Sequence, residues 1–206
     1  MNNQVAIIDY GMGNVASVQK ALNFLKISNI ITNKPEEIKN SSSIILPGVG
    51  AFSQGMQNLK AKQLDILLTD EVINKKKPFL GICLGMQLIM EKGSEPSDCE
   101  GLGWIKGEVV KISNLNLRVP HLGWNNVKVL NSKYYENISD MNFYFIHSYH
   151  AILKNIREID STVFYGSDIV ASIQKENIFA TQFHPEKSQK SGLTLLKTFF
   201  ENNVKK

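Results

Sequence analysis

The chain of 206 residues is 43% hydrophobic and 20% charged, with a net charge of +4. That apolar content suits one globular domain with a sizeable core, expected to span residues 1–206; no basic and aromatic motif accompanies the runs Lys75-Lys76-Lys77 and Lys205-Lys206, which read as solvated faces and not as a nucleic-acid surface. No apolar stretch approaches the ~18 residues of a membrane helix, and MNNQ runs straight into VAIID without a basic leader, so no membrane partner, no signal peptide and a cytoplasmic location are expected.

Strand and helix signals alternate through the first half. Val5 to Asp9 reads as a buried strand, and Val15, Val18, Leu22 and Leu25 then recur at the steps of three and four that mark one helix face. Asn29 to Thr32 is a second strand; Pro35-Glu36-Glu37 opens a short helix, with proline and acids where a first turn favours them. Ser43 to Leu46 is a third strand, expected to stop at Pro47-Gly48. Leu64, Leu67, Leu68 and Val72 mark another helix, running into the lysines at its carboxyl end. Phe79 to Ile82 is a fourth strand, and Leu84 to Met90 is expected to be a helix closed by Gly93. Such alternation predicts a parallel sheet with helices on both faces.

The second half changes character. Val109-Val110, Val127 to Val129, Phe143 to Ile146, Val163-Phe164, Ile169 to Ile173 and Ile178 to Ala180 read as short strands, with Gln174 to Asn177 as a hairpin loop. Leu193, Leu196 and Phe200 form a last helix face. These strands are expected to extend or lie against one side of the central sheet. No internal repeat or low-complexity linker is present.

Gly81-Ile82-Cys83-Leu84-Gly85 sits where a strand pattern meets a helix pattern. A sharp strand-to-helix corner exposes a nucleophile and aims the next amide N–H at an oxyanion; glycines two positions to either side remove side chains that would collide there. A helix amino end also favours an anionic sulfur. These five residues alone equally fit a small apolar cysteine in a buried turn. A thiol nucleophile needs a base, and the base needs an orienting group. Thr181-Gln182-Phe183-His184-Pro185-Glu186 offers both, His184 and Glu186 straddling a proline, although the histidine read by itself equally fits a surface site. Cys99, between Asp98 and Glu100 in what reads as a loop, is a poor nucleophile. Two cysteines and four histidines have no paired ligand spacing, so neither metal nor cofactor is expected.

Taken together, GICLGMQL and QFHPE resemble the double signature of class I, or triad-type, glutamine amidotransferases. Asp9-Tyr10-Gly11-Met12-Gly13-Asn14, Pro47-Gly48-Val49-Gly50-Ala51-Phe52, Pro120-His121-Leu122-Gly123-Trp124-Asn125, Tyr144 to Tyr149 and His184 to Ser188 are similar to the glutaminase subunits of imidazole glycerol phosphate synthases, so the resemblance covers almost the whole chain. It implies a three-layer α/β fold: a central, mostly parallel sheet flanked by helices, with extra antiparallel strands in the second half. It implies Cys83 as nucleophile, His184 as base and Glu186 as its orienter, acting on glutamine through a thioester. Leu84 and the Val49-Gly50 peptide become oxyanion donors, the latter able to flip. Gly50, Gln87, Glu95, Ser148 and Tyr149 become substrate positions, with Glu95 on the amino group. Asn14, Trp124, Tyr144 and Lys187 would line or gate an interface with a (β/α)8-barrel cyclase that receives the ammonia for histidine biosynthesis. A paralogue supplying ammonia to a surface-sugar pathway shares the same catalytic residues and is the alternative.

Two features stay apart from that assignment. Gly11-Met12-Gly13-Asn14-Val15-Ala16 matches a dinucleotide fingerprint, but Ile31-Thr32-Asn33-Lys34 lacks the acid that such a site needs at its second strand. Trp124 taken bare is equally a core tryptophan, and His121 and His150 receive no functional role.

Overall fold

The computed structural model describes residues 3–113, 117–131 and 133–203; Met1-Asn2 and Lys205-Lys206 lie outside them. Four strands come from the alternating first half: β1 (Val5–Ile8), β2 (Asn29–Thr32), β3 (Ser43–Gly48) and β4 (Phe79–Cys83), separated by helices α1 (Val15–Phe24), α2 (Pro35–Asn40), α3 (Phe52–Ala61) and α4 (Leu64–Thr69). A short helix α5 (Leu84–Leu88) follows, then β5 (Met90–Gly93), β6 (Cys99–Glu100), β7 (Ile105–Lys111), β8 (His121–Val129), β9 (Asn142–His147), β10 (Tyr149–Leu153), β11 (Ile159–Phe164), β12 (Asp168–Lys175) and β13 (Ile178–Thr181). Helix α6 (Gln189–Asn203) closes the described chain.

Among the described residues, nine strands form one sheet in the order β2-β1-β3-β4-β13-β12-β11-β8-β9. From β2 to β13 every pairing is parallel, and from β13 to β9 every pairing is antiparallel. The later strands thus extend the central sheet on one side, as expected, while β10, β7, β5 and β6 make a second, smaller sheet. Alternate residues of the parallel strands feed two cores. Val5, Ile7, Ile45, Leu80 and Ile82 pack with α1 and α6, whereas Ala6, Ile8, Ile44 and Leu46 pack with α3, α4, α5 and the small sheet. No described helix is long and apolar enough to cross a membrane.

Several boundaries differ from the sequence reading. β3 does not stop at Leu46 but continues through Pro47 and Gly48, which pair with Ile82 and Cys83 of β4. Its register with β1 ends at Ile45, so Pro47 lies beyond the β1 ladder, where a missing N–H is tolerated. The helix expected over Leu84 to Met90 ends at Leu88, because the backbone beyond it is claimed by distant partners: Leu88 and Met90 carbonyls accept from the amides of Leu102 and Gly103. Val72 falls in a π-helical turn (Asp70–Asn74) appended to α4. Cys99 lies in a two-residue strand rather than a loop, and the hairpin between β12 and β13 narrows to Glu176-Asn177. Helix α3, which the sequence reading passes over, buries Phe52, Gly55, Met56 and Leu59 on one face.

Candidate active site

The parallel register places Cys83 between two loops. Gly48 pairs with Cys83, so Val49 and Gly50 leave β3 directly alongside it. On the other side Thr181 pairs with Ile82, so Gln182, Phe183 and His184 leave β13 next to the same corner. All three segments emerge at the carboxyl ends of adjacent parallel strands, where open α/β sheets gather ligands.

Cys83 has φ 55° and ψ −106°, a conformation that non-glycine residues rarely adopt, and α5 begins at the next residue. The flanking glycines have a packing cause. A Cβ on Gly85 would lie 1.8 Å from the Leu46 carbonyl oxygen of β3, and one on Gly81 would lie 2.9 Å from the Gly85 carbonyl oxygen. The corner therefore closes only with hydrogen at both positions. Because α5 has five residues, its dipole is small, and local N–H groups matter more at the sulfur than a helix end does.

His184 follows β13, its amide donating to the Tyr144 carbonyl of β9 at 2.9 Å. Ser188 ties the same loop down: its hydroxyl donates to the His184 carbonyl at 2.6 Å and accepts from the Tyr144 amide at 3.0 Å. The imidazole Nδ1 lies 2.8 Å from Glu186 Oε1, and both side chains are buried. A carboxylate accepts, so Nδ1 carries the proton and Nε2 is turned toward Cys83. Burial alone would push His184 down, but the charge and hydrogen bonding of the Cys83 sulfur, together with Glu186, outweigh it and raise the imidazole to about 10. That direction is what a thiolate–imidazolium pair requires.

Gly50, Cys83, Gln87, Glu95, Pro120, Ile146, His147, Ser148 and Tyr149 line a cavity of about 230 Å³. Every residue marked as a substrate position in the sequence is in that set. Burial raises the carboxyl of Glu95, partly offset by a hydrogen bond from the Phe52 amide. Val49 is 41% exposed, and of the two glycines beside it only Gly50 has positive φ, at 111°. A larger open cleft of about 780 Å³, lined by Lys39, Lys60, Met56 and Ile66 among others, contains none of the sequence-predicted site residues; chemistry and not size locates the site.

Trp124 is not a core residue: it is 45% exposed and packs edge-on against Tyr144, with Lys187 Nζ 5.9 Å from the centre of the same tyrosine ring. Leu122 pairs with Ile146 across β8 and β9, and both are exposed, so an apolar strip runs up to the mouth of the Cys83 cavity. Asn14 caps α1, its side-chain oxygen accepting from the Ser17 amide at 3.1 Å. Among the described residues no group of three or more His, Cys, Asp or Glu is arranged to hold a metal ion.

The sequence reading missed His147 and the role of His121 beside it. His147 Nδ1 lies 2.9 Å from the Tyr149 carbonyl, which can only accept; Nε2 of neutral His147 is then the acceptor for His121 Nδ1–H at 3.0 Å. His121 is stacked between Phe145 and Tyr165. Burial lowers His121 to about 4 and His147 to about 3. Both groups bind protons more readily unfolded, where the ordinary value is about 6.5. Their contribution to stability is therefore complete above about pH 6.5 and is lost as pH falls through about 4 for His121 and about 3 for His147. The thermal midpoint should drop across that interval, and His121→Phe, which keeps a stacked ring, should flatten the drop. A midpoint independent of pH from 7 to 4 would refute this assignment.

A cysteine at a strained strand-to-helix corner, a buried histidine held by a carboxylate and a small polar cavity are features of acyl-transfer chemistry on a thiol. Over residues 6–203 the chain matches the family described as glutamine amidotransferase class-I. It is 46% identical over 198 residues to the imidazole glycerol phosphate synthase subunit HisH 1 of Campylobacter jejuni, covering 95% of this chain and 98% of that protein. It is likewise 46% identical over 200 residues to subunit HisH of Pyrococcus furiosus, covering 96% and 98%. A solved glutamine amidotransferase from Thermotoga maritima superimposes with a TM-score of 0.70 at 16% identity, covering 100% of both chains, a likeness of fold. The three-layer arrangement of helices about this sheet is that fold, and the chain belongs to the class-I glutamine amidotransferase family.

Proposed function

We propose that this chain is the glutamine-hydrolysing subunit of imidazole glycerol phosphate synthase, working as a single unit over residues 1–206 in the cytoplasm. The observation that carries the reading is the register that sets Cys83 between the Val49-Gly50 loop and the His184–Glu186 pair, at the edge of a cavity suited to a small amino acid. The names of its relatives favour the histidine-pathway assignment over a surface-sugar paralogue.

The Cys83 thiolate attacks the side-chain amide carbon of glutamine. Leu84 N–H and the Val49-Gly50 peptide stabilise the oxyanion. The tetrahedral adduct collapses as His184 gives its proton to the departing nitrogen, leaving a glutamyl thioester and ammonia. Neutral His184 then takes a proton from water, which attacks the thioester, and glutamate leaves as the carbon–sulfur bond breaks. Glu186 holds the imidazole tautomer throughout. Gln87, Glu95, Ser148 and Tyr149 hold the substrate, with Glu95 on its amino group. Ammonium is no nucleophile, so the ammonia needs a sheltered route. A (β/α)8-barrel cyclase docked over Asn14, Trp124, Tyr144 and Lys187 would provide it, and the exposed apolar strip at the cavity mouth supports that position.

Co-purification with such a cyclase, followed by glutamate release measured with and without the cyclase and its nucleotide, tests the reading. The isolated chain should be weakly active. Loaded cyclase should raise the rate by about 10²-fold or more, the value of one well-aimed oxyanion donor. Full activity in isolation would refute the gated oxyanion loop, and no glutamate under any condition would refute the enzyme.

A further inference from the structure

Gln182 is fully buried, and the base-and-orienter logic of the site leaves it without a task. Its side chain bridges Gln87 and Cys83. Gln87 Nε2 lies 3.0 Å from Gln182 Oε1, and Gln182 Nε2 lies 3.7 Å from Cys83 Sγ. Which end of each amide is nitrogen follows from a neighbour whose polarity is fixed. The Tyr149 carbonyl lies 2.9 Å from the same Gln87 atom and can only accept, so that atom is the NH2. Its second hydrogen points at Gln182, so the facing atom there is oxygen. The NH2 of Gln182 is then the end left against the sulfur. The Tyr149 carbonyl is held in turn by the His147 N–H, and His147 by His121. The Tyr149 carbonyl thus accepts from both His147 and Gln87, and from Gln87 onward the donors run in one direction, through Gln182 to the nucleophile.

We propose that Gln182 is a second holder of the Cys83 thiolate: a side-chain N–H donor locked toward the sulfur by Gln87 and the Tyr149 carbonyl. The proposal rests on the reading of Cys83 as the nucleophile. A thiolate accepts a hydrogen bond far better than a thiol does, so a fixed donor favours the anion. The need is greatest in the second half of the cycle. There His184 begins neutral and takes its proton from water, the carbon–sulfur bond breaks and its electron pair returns to the sulfur. Gln182 is a donor in place at that moment whatever the protonation of His184.

The test is the rate of Cys83 alkylation by iodoacetamide as a function of pH, followed on the Cys83 peptide by mass spectrometry so that Cys99 does not contribute. Q182M removes the donor at similar size and should move the midpoint of the rate curve upward by about one pH unit, the scale of one hydrogen bond to a charged group. Q182E keeps an acceptor for Gln87 but turns a negative oxygen toward the sulfur, and should move the midpoint further. An unchanged midpoint in either variant with wild-type circular dichroism would overturn the proposal. Should neither variant fold, the wild-type protein decides it. The Gln182 side-chain amide proton resonances should shift with pH in step with the alkylation curve, and a Gln182 signal that ignores that transition overturns the proposal. None of these measurements uses glutamine. A chain that fails to hydrolyse glutamine yet shows the shifts would sink the functional reading and leave the Gln182–sulfur interaction standing.

Discussion

Cys83→Ala is expected to abolish glutamine-dependent turnover, by about 10⁴-fold or more, while ammonium salts still support the reaction of the cyclase bound to the variant chain. The size follows from the mechanism. Nothing else in the cavity can form the thioester, since its other lining groups are Gly50, Gln87, Glu95, Pro120, Ile146, His147, Ser148 and Tyr149, and the base His184 is tied to Glu186. Ser148 is in that lining, but its hydroxyl cannot form a thioester. The substitution itself is mild for the fold. Cys83 is small, and the contacts of its sulfur to the Ile146 carbonyl at 3.8 Å and from Gln182 at 3.7 Å are long ones. Alanine does retain the unfavourable φ of 55°, so the backbone strain is unchanged. The variant should therefore bind cyclase and fold like the parent. Glutamate release above about one part in 10³ of wild type would rule out a Cys83 thioester.

How much of this was legible in the sequence depends on whether a signal was local. The existence and first residues of β1, β3 and β4 read correctly because strands buried on both faces are unbroken apolar runs, while their last residues did not, β3 running on through Pro47 and Gly48. The corner at Cys83 was legible because Gly81 and Gly85 mark it in the sequence; the contact between those two is local, although what forbids a side chain at Gly85 is the distant Leu46 carbonyl. The end of α5 was not. Leu84 to Met90 is an apolar run that suits helix or strand, and the choice was made by the backbone of residues 101–105, which captures the carbonyls of residues 88–91. The partnership of Cys83 with His184 was legible from what a thiol nucleophile needs and from resemblance, but the parallel pairing of β4 with β13 that brings the two together was not, being a non-local fact. The exposure of Trp124 likewise depends on what flanks β8, not on its own neighbours in sequence. Gln182 stood in a recognised motif, yet its task becomes visible only once Gln87 and the Tyr149 carbonyl fix which way its amide points.

Gly85→Ala should be the most damaging single-methyl addition at this corner, costing about 3 kcal/mol or more and taking activity with it. The added Cβ would stand 1.8 Å from the Leu46 carbonyl oxygen and 2.8 Å from its carbon. These are backbone atoms of β3, a strand paired on both sides, with no rotamer by which to yield. Overpacking typically costs 1–3 kcal/mol where side chains can shift, and alanine's better helix propensity returns about 1 kcal/mol at most. Relief can come only from α5 lifting off β3, which displaces Leu84 and the Cys83 backbone with it and pulls the Leu84 N–H away from the oxyanion. Stability and catalysis are thus coupled at this position. The thermal midpoint should fall by about 6–12 °C, using 2–4 °C per kcal/mol for a chain of this size. Gly103→Ala provides the comparison: Gly103 has φ +71° but no atom within 4 Å of a built Cβ, so alanine there meets only the left-handed strain of about 1–2 kcal/mol. Urea titration of both variants, read beside the Cys83 alkylation rate, separates the two causes. If Gly85→Ala proves as stable as Gly103→Ala with an unaltered alkylation rate, then α5 does not pack on β3 as closely as described, and the corner that sets the nucleophile is looser than the site requires.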